Sequence, residues 1–206
     1  MNKSFAFTLL TAVALCSAQI CLAQANKKVN EANKLAREGA EAAKSKEWDK
    51  AVDLLRKATD LDKKYADELS AVYQQRGYAA ASEQNYPDAI TSYSEALKLT
   101  PQDVRIYEQR AAVEMKANDT DKALADYSEA IKLKPNEIRY LNYRAYIYET
   151  KGDVKNSMAD TEKALKADSK NQEALSRKKR LEAREAANAT PLPPAPRKSP
   201  ATGRTP

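Results

Sequence analysis

The stretch Tyr93-Ser94-Glu95-Ala96-Leu97-Lys98-Leu99-Thr100-Pro101 returns 34 residues later as Tyr127-Ser128-Glu129-Ala130-Ile131-Lys132-Leu133-Lys134-Pro135, identical at seven of nine positions. Self-similarity at a fixed period of this length signals stacked supersecondary units. The same offset carries Ala89 to Ala123 to Ser157, Tyr73 to Tyr107, and Arg76 to Arg110 to Arg144. One step towards the N-terminus the spacing widens to 38, from Ala51 to Ala89. Four extra residues are about one helical turn, which predicts a first helix one turn longer ahead of Tyr73 with the register kept.

Each unit reads as two helices. In the second, a helix from about Tyr65 to Gln84 is followed by Asn85-Tyr86-Pro87. Proline belongs in a first turn, where its missing N–H is harmless, and the next helix must end before Pro101. Small residues recur where paired helices approach: Gly39, Gly77, Ala111 and Ala145 in the first helices, and Ala58, Ala96, Ala130 and Ala164 in the second. Larger side chains, Trp48 and Tyr86 at the turns and Leu55, Tyr93 and Tyr127 in the second helices, fill the complementary places. A small residue facing a ring gives close packing. With 37 alanines and 11 tyrosines the 206-residue chain can build such contacts without many large aliphatics.

The quoted residues resemble the tetratricopeptide repeat family. The resemblance covers four units, about 32–65, 70–103, 104–137 and 138–171. The fourth departs from the pattern at Ser157, Thr161 and Ser169, and the first at Lys63. It implies an all-α, right-handed superhelical solenoid of four helix-turn-helix repeats. Residues 172–187 carry charged side chains between Ala174, Leu175, Leu181, Ala183 and Ala186, and are expected to form a C-terminal capping helix, because terminal repeats need a polar outer face. Residues 188–206 hold Pro191, Pro193, Pro194, Pro196, Pro200 and Pro206 and are read as a disordered, basic, proline-rich tail with a PxxP match from Pro191 to Pro194.

Lys3, the apolar run Phe5–Ala14 and the small residues Ala23 and Ala25 make residues 1–25 a secretory signal peptide with cleavage after Ala25, which leaves a repeat domain over 26–187. Leu15 and Ile20, before Cys16 and Cys21, are bulky where lipidation wants a small residue. A chain without that segment has no cysteine, and there is no histidine anywhere. Disulfides, Cys/His zinc sites and thiolate or imidazole catalysis are thereby excluded from the mature form. Only four glycines occur, none clustered, so no phosphate loop is present. The pairs Asp60/Asp62 and Asp119/Asp121 fall at helix ends and read as caps or hydrated carboxylates. No enzyme activity and no cofactor are expected.

The formal charge is +6, from 35 basic and 29 acidic residues. Its excess lies in the C-terminal part, which includes Arg177-Lys178-Lys179-Arg180. A neutral body lacks the continuous basic surface that nucleic-acid binding needs. The basic run reads as a solvated helix face, and Arg76, Arg110 and Arg144 as a repeated structural slot with stems on the neighbouring helix and heads in water.

What the resemblance implies is a scaffold holding a partner's peptide or helix on the concave wall formed by the first helices. Projected onto this chain, the wall carries Asn33, Gln74, Tyr78, Arg105, Glu108, Met115, Arg139, Asn142 and Tyr146, a set of tyrosines, amides and arginines suited to extended backbone with an acidic or aromatic side chain. The chaperone-binding members of the family grip an acidic C-terminus with a lysine and two asparagines, and Ala36, Ala40 and Gln75 stand in those places here. The expected protein is an exported interaction scaffold, periplasmic in a Gram-negative bacterium and secreted otherwise. The alternative is a membrane-associated protein tethered by an uncleaved N-terminus or by the basic C-terminal helix.

Overall fold

A computed structural model describes the backbone of residues 3–189 and the side chains of Gln19 and residues 22–188. Its described residues form α1 (Lys3–Lys44), α2 (Trp48–Leu61), α3 (Ala66–Ser82), α4 (Tyr86–Leu99), α5 (Val104–Lys116), α6 (Thr120–Leu133), α7 (Ile138–Thr150), α8 (Val154–Ala167) and α9 (Gln172–Ala189), with a 3-10 turn at Lys63–Tyr65. The chain divides into two compact units after Pro135. In the first, α1 packs on α2, α3 on α4 and α5 on α6, and in the second α7 packs on α8.

The period fixes the boundaries because the turn chemistry repeats with it. Lys46, Gln84, Asn118 and Gly152 take positive φ, between 60° and 79°. That conformation ends the first helix of each pair, and the next N–H reaches back five residues: Glu47 to Ala42 O at 2.9 Å, then Asn85 to Ala80 O, Asp119 to Glu114 O and Asp153 to Tyr148 O, each at 2.8 Å. The residue making that bond caps the second helix. Asn85, Asp119 and Asp153 accept side-chain hydrogen bonds from the amides of Asp88, Lys122 and Asn156. Glu47 makes no such bond. Asp119 is thus a cap, as its place in the turn indicated. The expected extra turn is present: α3 has 17 residues where α5 and α7 have 13.

Small residues set the helix spacing. A Cβ on Gly39 would come within 2.8 Å of Leu55 Cγ, and one on Gly77 within 3.1 Å of the Tyr93 ring. Ala58, Ala96, Ala130 and Ala164 have no exposed surface. Of the polar departures of the fourth repeat, Ser169 is exposed while Ser157 and Thr161 are buried, and both buried hydroxyls find backbone acceptors: Ser157 donates to Ala145 O at 2.8 Å and Thr161 to Ser157 O at 2.7 Å. Those bonds offset the cost of burying a hydroxyl.

Two of the three recurring arginines do not keep their heads in water. Arg110 donates from Nε and Nη2 to both oxygens of buried Asp126, each at 2.7 Å, and Arg144 makes the same fork on Asp160 at 2.7 and 2.8 Å. At the corresponding place opposite Arg76 stands Ser92, and Arg76 instead lies 3.3 Å from exposed Asp49. The fork is worth forming inside because guanidinium and carboxylate match bidentately.

The basic run of α9 is likewise not a solvated face throughout. Arg177 is 1% exposed. It donates to Glu173 Oε1 at 2.7 Å and Asn142 Oδ1 at 3.2 Å, and its Nε lies 3.4 Å from Glu149 Oε2. Arg180 forks onto Glu149 at 2.8 and 2.9 Å. With buried Ala174 and Leu181, Arg177 fastens α9 over the last repeat, the capping place expected of it. The helix runs to Ala189. The tail expected beyond it falls outside the described residues, apart from Asn188 and Ala189. Residues 3–25, read as a signal peptide, are the leading part of α1, and among the described residues no helix is long and apolar enough to cross a membrane.

Candidate functional site

A groove of about 940 Å³ opens in the first unit, lined by Lys46 and Trp48 from the α1–α2 turn, Ala71, Gln74, Gln75, Tyr78, Ala79, Ser82 and Glu83 from α3 and its end, and Arg105 and Gln109 from α5. Helical spacing produces the lining. Ala71, Gln75, Tyr78 and Ser82 follow one another at three- or four-residue steps, as do Arg105 and Gln109, so each set shares one helix face. Trp48 arrives because the positive φ of Lys46 ends α1 two residues earlier.

Three of the residues expected on the wall, Gln74, Tyr78 and Arg105, meet in this groove. Tyr78 is 67% exposed, a large ring facing solvent. Arg105 is exposed but engaged: it donates to Asp103 at 3.0 and 2.8 Å, and Asp103 also caps its backbone amide. That hydrogen bonding raises the guanidinium pKa and holds the Asp103 carboxyl below the usual carboxylate range. The arginine was expected to await an acidic partner, yet it already has one within its own turn.

The other six are placed elsewhere. Asn33 lines a smaller hollow of about 450 Å³ with Ala36, Ala40, Tyr65 and Glu68, and its Oδ1 accepts from the Tyr65 hydroxyl and from Lys64 Nζ. Glu108 and Met115 are half-buried on α5 and do not line the 940 Å³ groove. Arg139 and Tyr146 are exposed on α7 in the second unit. Asn142 departs from the expectation of an open wall. It is 5% exposed, donates to Asn171 Oδ1 at 3.3 Å and accepts from Arg177, because α9 lies against that face of α7.

Trp48, Gln75 and Gln109 were not among the expected groove residues. Gln75 and Gln109 are 34 apart, so the period itself carried the signal. Trp48 had been assigned only a packing role at its turn. The lining combines two rings, three neutral amides and few uncommitted charges, an arrangement that can bind an extended chain by its carbonyls and N–H groups and anchor a flat or apolar side chain. Among the described residues no group of three or more acidic, cysteine or histidine side chains is placed to hold a metal ion.

A model of the ETO1 C-terminal domain matches residues 11–186. No curated protein matches the chain. Among solved structures, the Arabidopsis OM64 TPR domain is 26% identical, with 57% of this chain and 98% of that one covered and a TM-score of 0.51. A tetratricopeptide repeat protein from Parabacteroides merdae is 20% identical over 77% of this chain and 61% of its own, with a TM-score of 0.59. The first TPR of Spaghetti (RPAP3) bound to HSP90 peptide SRMEEVD is 18% identical over 58% of this chain and 95% of its own, with a TM-score of 0.53.

Proposed function

From the premise that this chain belongs to the ETO1 C-terminal domain family and is a tetratricopeptide-repeat protein, we propose that it is an exported, non-catalytic scaffold whose groove between α3, α5 and the α1–α2 turn binds a peptide segment of a partner protein. The observation that carries this reading is the convergence of Trp48, Tyr78, Gln74, Gln75 and Gln109 on one open groove. A half-exposed ring is a place where a partner's side chain can remove apolar area from water, and aromatic residues dominate the energetics of such surfaces. The amides provide neutral donors and acceptors for main chain. That one of the related folds holds a peptide supports a groove as the working surface.

The mature chain begins at Asn26 and acts outside the cytoplasm. In the membrane-tethered alternative by way of α9, Arg177 is buried and Arg180 pairs with Glu149, which leaves Lys178 and exposed Lys179 of the basic run to meet an acidic surface. A capture experiment with the immobilised full repeat protein tests the reading. Partners retained by the wild type and lost by Tyr78→Ala and Gln109→Ala variants of unchanged helix content are the expected result. Equal retention by all three would overturn the groove as the binding surface. N-terminal sequencing of the exported protein tests the address, and a chain that keeps Phe5 would sink it.

A further inference from the structure

We propose that the groove along α3 takes an extended, uncharged, internal stretch of a partner chain, anchored by a bulky apolar side chain against Trp48 and Tyr78 and read through a main-chain N–H donated to Gln109. It turns away helical segments and acidic C-termini. The inference rests on the groove reading above and names the ligand chemistry that reading left open.

The amides decide between an extended occupant and a helical one. A helix spends its N–H and C=O groups on itself, so Gln74, Gln75 and Gln109 would have nothing to serve. An extended chain arrives with both kinds of group unpaired and must find partners for them. Gln75 and Gln109, one period apart, bring such partners from two helices to one groove. Tyr78 is 67% exposed and Trp48 is half-buried, so ring surface remains for a bulky apolar side chain to cover. From Ala71 to Glu83 the lining follows α3 for roughly 18 Å, the reach of about six extended residues.

Gln109 adds a sign that points to a donor. Its Oε1 is shielded from water and has no hydrogen-bond partner, although the residue is only half-buried and lines the groove. An acceptor left unpaired in this way is costly. Rotation about the last bond of the side chain turns that oxygen towards the groove, and the oxygen gives up no hydrogen bond in doing so. A main-chain N–H relieves it. A carboxylate, which only accepts, does not.

The charges agree. Arg105 is forked onto Asp103, and the other two charged lining residues, Lys46 and Glu83, are opposite in sign. The lining and Asp103 together sum to zero, which rewards an occupant of neither charge. A terminal carboxylate would give up its water to meet an arginine that is already engaged.

Random peptides of about ten residues, longer than that reach, are displayed on yeast either between two fixed flanks or with a free C-terminus, and selected on the full-length protein. Flanked inserts with a bulky apolar residue among uncharged neighbours should be enriched, and should not be retained by Tyr78→Ala. Enrichment of acidic free C-termini, or of amphipathic helix formers, overturns the inference. One enriched insert is then synthesised with each main-chain amide N-methylated in turn. On the wild type, one of these methylations should weaken binding about tenfold, as expected for the loss of one hydrogen bond. That penalty should vanish in Gln109→Leu of unchanged helix content and persist in Gln109→Glu, which keeps an acceptor. An equal penalty in wild type and Gln109→Leu overturns Gln109 as the reader. Affinity should change less than about twofold between about 0.05 and about 0.5 M salt, and a steep fall overturns the uncharged ligand. Inserts held equally by wild type and Tyr78→Ala would bring down the groove reading itself. A library without enrichment, while partner capture still depends on Tyr78, leaves that reading standing and overturns this inference alone.

Discussion

The α5–α6 and α7–α8 hairpins share a period and an Arg–Asp fork but differ in what surrounds it. In α5–α6 a second carboxylate, Glu114, is 2% exposed and 3.9 Å from the Arg110 Nε, and its Oε2 has no hydrogen-bond partner. In α7–α8 the corresponding place is Tyr148, whose ring centroid lies 5.9 Å from the Arg144 guanidinium. The interface between helices also differs, with buried Ala123 and Tyr127 in one and the hydroxyls of Ser157 and Thr161 in the other. Two sequences can therefore meet one backbone requirement with different balances of charge and polarity. What the repeat conserves within this chain is the geometry of the fork, and its neighbours decide how the fork responds to change.

The largest expected effect follows from removing the acid of each fork. Breaking a buried pair by deleting one partner costs about 3–5 kcal/mol, because the other charge is left buried. Asp160→Ala should approach that loss. Asp126→Ala should cost less, since Glu114 stands close enough to Arg110 to replace the lost carboxylate. Urea unfolding combined with hydrogen exchange resolved by hairpin measures both, and a larger loss for Asp126→Ala would break the comparison.

Glu114 should next make the α5–α6 hairpin sensitive to pH. Burial first, and then the nearby Asp126 charge, push its pKa from 4.5 up to about 7, against a smaller opposing pull from Arg110. The folded form thus holds a proton that the unfolded chain releases at its ordinary value. Stability from this group is fully present below about pH 4.5 and is lost as pH rises through about 7, by up to about 3 kcal/mol. Glu114→Gln, which mimics the protonated acid, should flatten that part of the profile and leave the variant more stable than wild type at pH 8. An unchanged slope between pH 5 and 8 would remove Glu114 as its source.

Overpacking comes third. Ala96→Leu and Ala130→Leu should each destabilise by roughly 1–3 kcal/mol, since neither alanine has exposed surface to give. Exposed Lys98→Ala serves as the reference of small effect. The smallest changes concern the turns. Gly152→Ala should destabilise α7–α8 slightly and Gln84→Gly should stabilise α3–α4 slightly, each by about 1 kcal/mol, because only glycine takes positive φ without steric cost. Thermal midpoints that move in the opposite directions would show that these turns relax.

The helices were legible in the sequence because period, caps and small residues repeat together. Gly77 against Tyr93 needed only the register. The side-chain partners were less legible. Arg110 and Arg144 each stand 16 residues before their aspartates, and that offset recurs, but Ser92 interrupts it at the repeat where the reading began. Arg177 was obscured by its charged neighbours. Its spacing from Ala174 and Leu181 puts it on their face of α9, yet a cation on an apolar stripe reads as buried only once Glu149 and Asn142 are known to meet it. The groove was half legible, since α3 and α5 positions follow from the repeat while Trp48 depends on how the first turn bends.

The Arg177 fastening also bears on where this chain can be cut. Repeat arithmetic ends the fourth unit at Asn171, but the groups that complete that unit's face, Ala174, Arg177, Arg180 and Leu181, all come later. A fragment trimmed at the arithmetic border would leave Glu149 without its guanidinium partners and Asn142 open to water. Its newly bared surface would be the adhesive end of an unfinished stack, so such fragments should clump or be digested. For expression, fusion or domain exchange, the workable border lies after α9, some 18 residues beyond the last repeat.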